Sequence, residues 1–111
     1  MQIDLKKLRE IMKESNIAYY RDNAPTTAKY PYIVYEFVNE THKKASNRVF
    51  KSMPMYQIAL ITDGTEGDYE PLKRVFDLNR VPYASFFGMR YDENDSKVMQ
   101  YITYVRCVNG E

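Results

Sequence analysis

The chain has no tryptophan, a single cysteine, a single histidine, four glycines and almost no net charge, with sixteen Lys and Arg against fifteen Asp and Glu leaving +1. Each scarcity excludes something. A lone Cys107 cannot close an internal disulfide and suits a reducing cytosol. A lone His42 would need partners for metal binding or acid–base catalysis, and the sequence places none beside it, only lysines. The glycines fall in no phosphate-cradling spacing. The charge balance is unlike that of a domain bound wholesale to phosphates, which is usually strongly basic. No apolar run approaches the roughly 20 residues of a membrane helix. Met1 to Glu10 read as a charged helical pattern without a signal-peptide core, so the expectation is a protein made and kept in the cytoplasm or packaged from there.

What is present is ordinary globular material. The 111 residues are 44% hydrophobic and 28% charged, enough for one domain over 1–111 with a real core. The unusual count is eleven tyrosines beside five phenylalanines. Tyrosine suits strands and half-wet surfaces, because its ring packs while its hydroxyl reaches water. It is also enriched where proteins meet each other.

Ile3, Leu5, Leu8, Ile11 and Met12 recur at helical spacing among Lys6, Lys7, Arg9, Glu10 and Lys13, which predicts an amphipathic helix ended by Ser15 and Asn16. Ile17 to Tyr20 allow a short extended segment, and Arg21 to Lys29 carry the turn chemistry of a loop. Tyr32 to Val38 read as a strand with Ile33, Tyr35 and Phe37 on one side and Tyr32, Val34, Glu36 and Val38 on the other. Asn39 to Asn47 are polar and read as an exposed connection, the tip of a long hairpin. Val49 to Thr62 return as a strand, in which Pro54 implies an edge, a bulge or a late start. After the Asp63-Gly64 turn, Thr65, Glu66 and Asp68 suit the start of a second helix. Pro71 fits its first turn, and Tyr69, Leu72, Val75, Phe76 and Leu78 form its apolar face. Tyr83 to Tyr91 and Val98 to Val108 then predict a second hairpin around the polar turn Asp92 to Ser96. The sum is α+β, with an antiparallel sheet of four to five strands and two helices packed on one face.

Chemistry is sparse. Cys107 in a strand reads as a small half-buried hydrophobe rather than a nucleophile, the only histidine being far off in sequence. The acids Asp63, Glu66, Asp68 and Glu70 miss calcium-loop spacing and are explained by helix capping. No catalytic residue and no metal ligand set emerges, and no cofactor is implied. A sheet carrying Tyr83, Phe86, Phe87, Tyr91, Tyr101 and Tyr104 could stack bases, so a single-stranded nucleic-acid-binding module is the reading from another class. The mixed charges of the first helix argue against a membrane surface.

The order of elements resembles the tail-completion (tail-terminator, head–tail joining) proteins of long-tailed bacteriophages. The resemblance is carried by Pro31-Tyr32-Ile33-Val34-Tyr35-Glu36-Phe37, by Met55-Tyr56-Gln57-Ile58-Ala59-Leu60-Ile61-Thr62, by Glu70-Pro71-Leu72-Lys73-Arg74-Val75-Phe76, and by the closing pair of strands. It implies a non-enzymatic virion protein that assembles with itself as a ring, generally of six. Such a ring caps the tail tube, meets the head connector or neck protein, and leaves a passage for DNA without reading its sequence. A head-completion or neck protein of the same joint is the neighbouring reading. For those contacts the sequence offers the polar loop with His42, Lys43, Lys44, Asn47 and Arg48, which could reach a neighbouring subunit or line the passage, and the edge strands of the sheet, whose unpaired backbone could add to a neighbour's sheet.

Overall fold

The computed structural model describes residues 3–45, 48–92 and 95–108, with the backbone alone described at 43–45, 48–51, 92, 95 and 96. Helix α1 spans Leu5–Glu14. The Asp4 carboxylate accepts from the Lys7 amide at 2.8 Å and so satisfies one of the donors a helix start leaves open. Leu8, Ile11 and Met12 supply its buried stripe. At the far end the Ser15 hydroxyl donates to the Met12 carbonyl at 2.6 Å and accepts from the Ile17 amide at 3.2 Å. Asn16 takes the left-handed conformation, φ 62°, which asparagine tolerates better than most residues.

Five strands form one sheet in the order β1-β2-β3-β5-β4. They are β1 Ala18–Arg21, β2 Tyr32–Ala45, β3 Arg48–Thr62, β4 Phe87–Asp92 and β5 Asp95–Arg106. The sheet is mixed rather than wholly antiparallel, because β1 pairs with β2 in parallel, Ala18 opposite Tyr32 through Arg21 opposite Tyr35. A parallel pair needs a crossover, and the segment 22–31 provides it. Its Ala24 and Ala28 pack beside Tyr20, Tyr32, Val34, Ile61 and Val98 on one face of the sheet.

The opposite face carries the larger core. Leu8, Ile11 and Met12 of α1 join Leu72, Val75 and Phe76 of the second helix in one buried cluster with Ile33, Tyr35, Ile58, Leu60 and Val105. The strand pairs Ile33–Leu60 and Tyr35–Ile58 set that alternation, and slipping the register by one residue would turn all four side chains outward. Leu8, Ile11 and Phe76 are fully buried, so truncating either aliphatic side chain to alanine should cost about 2–5 kcal/mol.

The second helix, α2, spans Glu70–Leu78 and follows a 3₁₀ turn over Glu66–Tyr69. Thr65 caps that turn and Pro71 sits in the first turn of α2, where its missing donor costs nothing. Leu78, expected on the apolar face, is instead exposed. It lies about 200° around the helix from Phe76, at 100° per residue. The helix ends in a Schellman motif: Val81 N–H donates to the Phe76 carbonyl at 2.9 Å and Arg80 N–H to the Asp77 carbonyl at 3.2 Å.

Two further boundaries differ from the sequence reading. Asn39 to Asn47 do not form a polar loop over the described residues, since β2 runs on to Ala45 and stays paired with β3 as far as Ala45–Arg48. Asn39, Glu40, Thr41 and His42 are exposed, so this part of the strand shows no apolar alternation and reads locally like a loop. Tyr83 makes only an isolated bridge to Val105, and β4 begins at Phe87, because Tyr83 and Phe86 turn their rings into the main core instead of extending the ladder. Pro54 lies inside β3, opposite Glu40, while its carbonyl accepts from the Cys107 amide at 2.7 Å. A strand residue's N–H and C=O point to the same side, so the donor that proline lacks faces Cys107, just beyond the last β3–β5 pair, Met55–Arg106, where only the bond from Cys107 to Pro54 is made. Among the described residues no helix is long and apolar enough to cross a membrane.

Candidate functional site

The feature that departs most from a plain α+β domain is the far end of the β2–β3 hairpin. β1 supports β2 only over Tyr32–Tyr35, and β5 supports β3 only over Met55–Thr62. Beyond the Asn39–Met55 pair the two strands therefore continue as a two-stranded ribbon, and each strand's outer edge is free of a named strand. About seven residues per strand at ~3.3 Å give it a reach of about 23 Å. The whole molecule measures 51 × 29 × 24 Å. A ribbon of two strands is marginal in water without further support.

Its root is fastened from the side. Arg106, the last residue of β5, donates from Nη1 to the Asn39 Oδ1 at 3.1 Å, to the Thr41 hydroxyl at 3.3 Å and to the Met53 carbonyl at 3.0 Å. Its Nη2 lies 3.8 Å from the Met55 sulfur. Met55 is paired with Asn39 on one side and Arg106 on the other, so the three residues form a row across the sheet. The row sits at the register shift between Phe37 and Asn39, where an extra residue bends the strand.

Four of the five residues singled out in the sequence come to this ribbon, on strands. His42 is paired with Ser52, Lys43 with Lys51, Lys44 with Val49 and Ala45 with Arg48. The fifth, Asn47, lies outside the described residues. His42 Nε2 meets the Glu40 carboxylate at 2.5 Å, two residues away on the same strand face. That bond holds the Glu40 carboxyl below its ordinary value. Lysine facing lysine in register is unfavourable, since like charges directly opposite destabilise a strand pair.

A second exposed surface lies on β4, an edge strand. Phe87, Met89 and Tyr91 alternate along it, each 44–48% exposed, on the face away from the helices. Phe87 stacks on Tyr104 of β5 with ring centroids 6.3 Å apart. The alternation is visible in the sequence as Phe-x-Met-x-Tyr, but only the sheet order shows that it lies on an edge strand, exposed among the described residues. The six aromatics that suggested a base-stacking surface are divided between faces. Tyr83, Phe86 and Tyr101 pack against the main core, whereas Phe87, Tyr91 and Tyr104 lie on the other side. There a shallow cleft of about 170 Å³ includes Tyr32, Tyr91, Gln57 and Gln100 together with Asp22 and Glu36. Two carboxylates and no cation line it, the reverse of what a phosphate requires.

Among the described residues, the potentially reactive groups stand apart and serve the fold. Cys107 is fully buried, and burial, with Asp4 nearby, pushes its thiol up to about 12, so it is a core residue and a poor nucleophile. Asp68 accepts from the Thr62 hydroxyl at 2.6 Å, which in turn accepts from the Gly64 amide at 3.0 Å, so this acid builds the turn between β3 and α2. A groove of about 340 Å³ beside α2 is lined by Glu70, Lys73, Arg74, Asp77 and Leu78, all from one helix and without a nucleophile. Among the described residues no group of three or more His, Cys, Asp or Glu could hold a metal ion. The chain matches no family model and no curated protein.

Proposed function

We propose that this chain is a non-catalytic assembly protein that completes a bacteriophage tail and joins it to the head, acting as a ring at the top of the tail tube. The observation that carries the reading is the two-stranded arm. A ribbon that leaves its own sheet, lacks a covering element and carries opposed lysines is built for contact with another body rather than for the stability of its own domain. The order helix, short strand, long hairpin, helix, hairpin supports it too, since the segments that carry the resemblance to tail-completion proteins occupy those elements. In this role the chain meets copies of itself, the tail tube and the head connector, and DNA passes through the ring without being read. It uses no cofactor and resides in the virion.

The test is electron microscopy of particles from a phage with the gene intact, deleted or supplied from a plasmid. Overlong or headless tails in the deletion, corrected by the supplied protein, are the expected result. Normal tails attached to heads in the deletion would end this reading. Salt-dependent oligonucleotide binding would then be the next measurement, because phosphate contacts weaken as salt rises.

A further inference from the structure

The charge of this chain is close to neutral in total but is unevenly placed. Over residues 39–53, the arm, four cations (Lys43, Lys44, Arg48, Lys51) stand against the single acid Glu40, which leaves +3. The remainder of the chain, with twelve cations and fourteen acids, carries −2. Acids are densest at the end away from the arm, where Arg90 and Lys97 offset only part of them. β3 runs fifteen residues from Arg48 in the arm to Thr62, about 46 Å at ~3.3 Å per residue. Beyond Thr62 follow the exposed Asp63, Glu66 and Glu70, and the Thr62–Met99 pair brings the β4–β5 hairpin with Asp92 and Asp95 to the same end. The arm also holds Lys43 and Lys51 as direct cross-strand partners, an arrangement that is unfavourable by itself and relieved by an anionic surface.

From these placements we infer that the arm docks on a second copy of this chain, seating its lysine-bearing end against the acidic β3–α2 end of the neighbouring body. The contact is head to tail, so each copy both offers an arm and receives one. Such heterologous contacts close into rings when the rotation between copies allows it and otherwise give open filaments. The supply of opposite charge within the same chain favours a second copy over DNA as the occupant. The inference deepens the ring reading and rests on it for the arm's being an assembly element. What it adds is the pair of surfaces.

The experiment is native mass and sedimentation of the full chain at 50 mM and 500 mM salt, with two charge-reversed variants. One carries Lys43→Glu, Lys44→Glu and Lys51→Glu, and the other Asp63→Lys and Glu66→Lys. Circular dichroism checks that both fold. The wild type should self-associate at low salt and do so at least about tenfold more weakly at high salt, since the screening length falls well below 10 Å. Each variant alone should be monomeric, and an equimolar mixture should associate again. A wild type that stays monomeric at about 1 mM, an arm variant as associated as the wild type, or variants that remain apart on mixing would each overturn the inference. So would an arm variant of unchanged mass that had lost affinity for a DNA oligonucleotide, which would assign the arm to DNA. Should the gene deletion leave tails normally attached, the joining role would fail while the mass result stood.

Discussion

Arg106 and Asn39, 67 residues apart in sequence, are joined by a 3.1 Å hydrogen bond across the intervening Met55. Among the described contacts the guanidinium has no carboxylate partner; its bonds go to an amide oxygen, a hydroxyl and a main-chain carbonyl, all at the root of the arm. It thus sets where the arm leaves the sheet. Hydrogen bonds of a charged donor contribute about 1.5–3 kcal/mol in favourable settings, less where water competes as it does here. Arg106→Ala should therefore lower global stability by only about 1 kcal/mol. Amide hydrogen exchange over 39–45 and 51–53 should accelerate much more than exchange in α1 or in the centre of β3. Lysine should rescue incompletely, because its compact ammonium cannot reproduce the planar fork. Equal acceleration throughout the molecule would show that Arg106 supports the fold as a whole rather than the arm.

Gly88 illustrates a close approach. It is paired with Tyr101, and a Cβ at Gly88 would lie 2.8 Å from a ring carbon of that tyrosine. Tyr101 in turn packs on Tyr69, whose ring stacks on Phe86 at 4.3 Å and 7°. Gly88→Ala must push the Tyr101 ring into that cluster, with a cost of about 1–3 kcal/mol from overpacking. Pairing it with Tyr101→Ala, which opens the space, should make the two changes clearly non-additive. Simple additivity in chemical denaturation would show that the ring swings aside freely.

Arg80 adopts φ 56° at the position after the α2 cap, where glycine is usual. A left-handed conformation costs a non-glycine residue about 1–2 kcal/mol, of which glycine's greater freedom in the unfolded chain returns about 0.5–1. Arg80→Gly should accordingly stabilise the domain by roughly 0.5–1 kcal/mol, and Arg80→Val should destabilise it. An unchanged or lower melting temperature for the glycine variant would mean that the arginine side chain contributes more than the backbone strain removes.

The parts of this fold that were legible in the sequence are those whose local pattern reports burial. The stripe Leu8, Ile11, Met12 announces a helix, the alternation of Ile33 and Tyr35 announces a strand, and Pro71 with Thr65 marks the start of a helix. The parallel pairing of β1 was not legible, since four residues show extended structure without showing their partner or its direction. The arm was hidden for a related reason. Glu40, Thr41 and His42 are exposed on alternate faces of their strand, so the segment has the composition of a loop and signals polarity and nothing more. The functional candidates His42, Lys43, Lys44 and Arg48 were found for their charge, but their register on a ribbon was not. The Arg106 bonds lay beyond reach because they depend on the order of β2, β3 and β5.

Burial holds several weak acids protonated and so shapes the alkaline limit, Cys107 and Tyr83 most strongly and Tyr32 and Tyr101 in the same direction. The Cys107 thiol is raised from 9.0 to about 12, by burial first and by Asp4 second. The Tyr83 hydroxyl is raised from 10.0 to about 12, again by burial first, with its 2.6 Å bond to Asp77 next. In both cases the fold favours the protonated form. The stabilisation is complete below the unfolded value and is lost as pH climbs toward the folded one. For Cys107 that window opens near pH 9 and for Tyr83 near pH 10, and both close near 12. The unfolding free energy should therefore hold steady through neutral pH and fall from about pH 9 upward, because the unfolded chain then binds fewer protons than the native one. Cys107→Ala creates a small gap and lowers stability at pH 7 but should flatten the first part of the decline, and Tyr83→Phe should flatten the second. The native thiol should react with a disulfide reagent at pH 8 only as fast as the chain opens, and at the free-cysteine rate in denaturant. Rapid labelling of the folded protein would place Cys107 in reach of solvent and remove it from the core that joins β5 to the base of the arm.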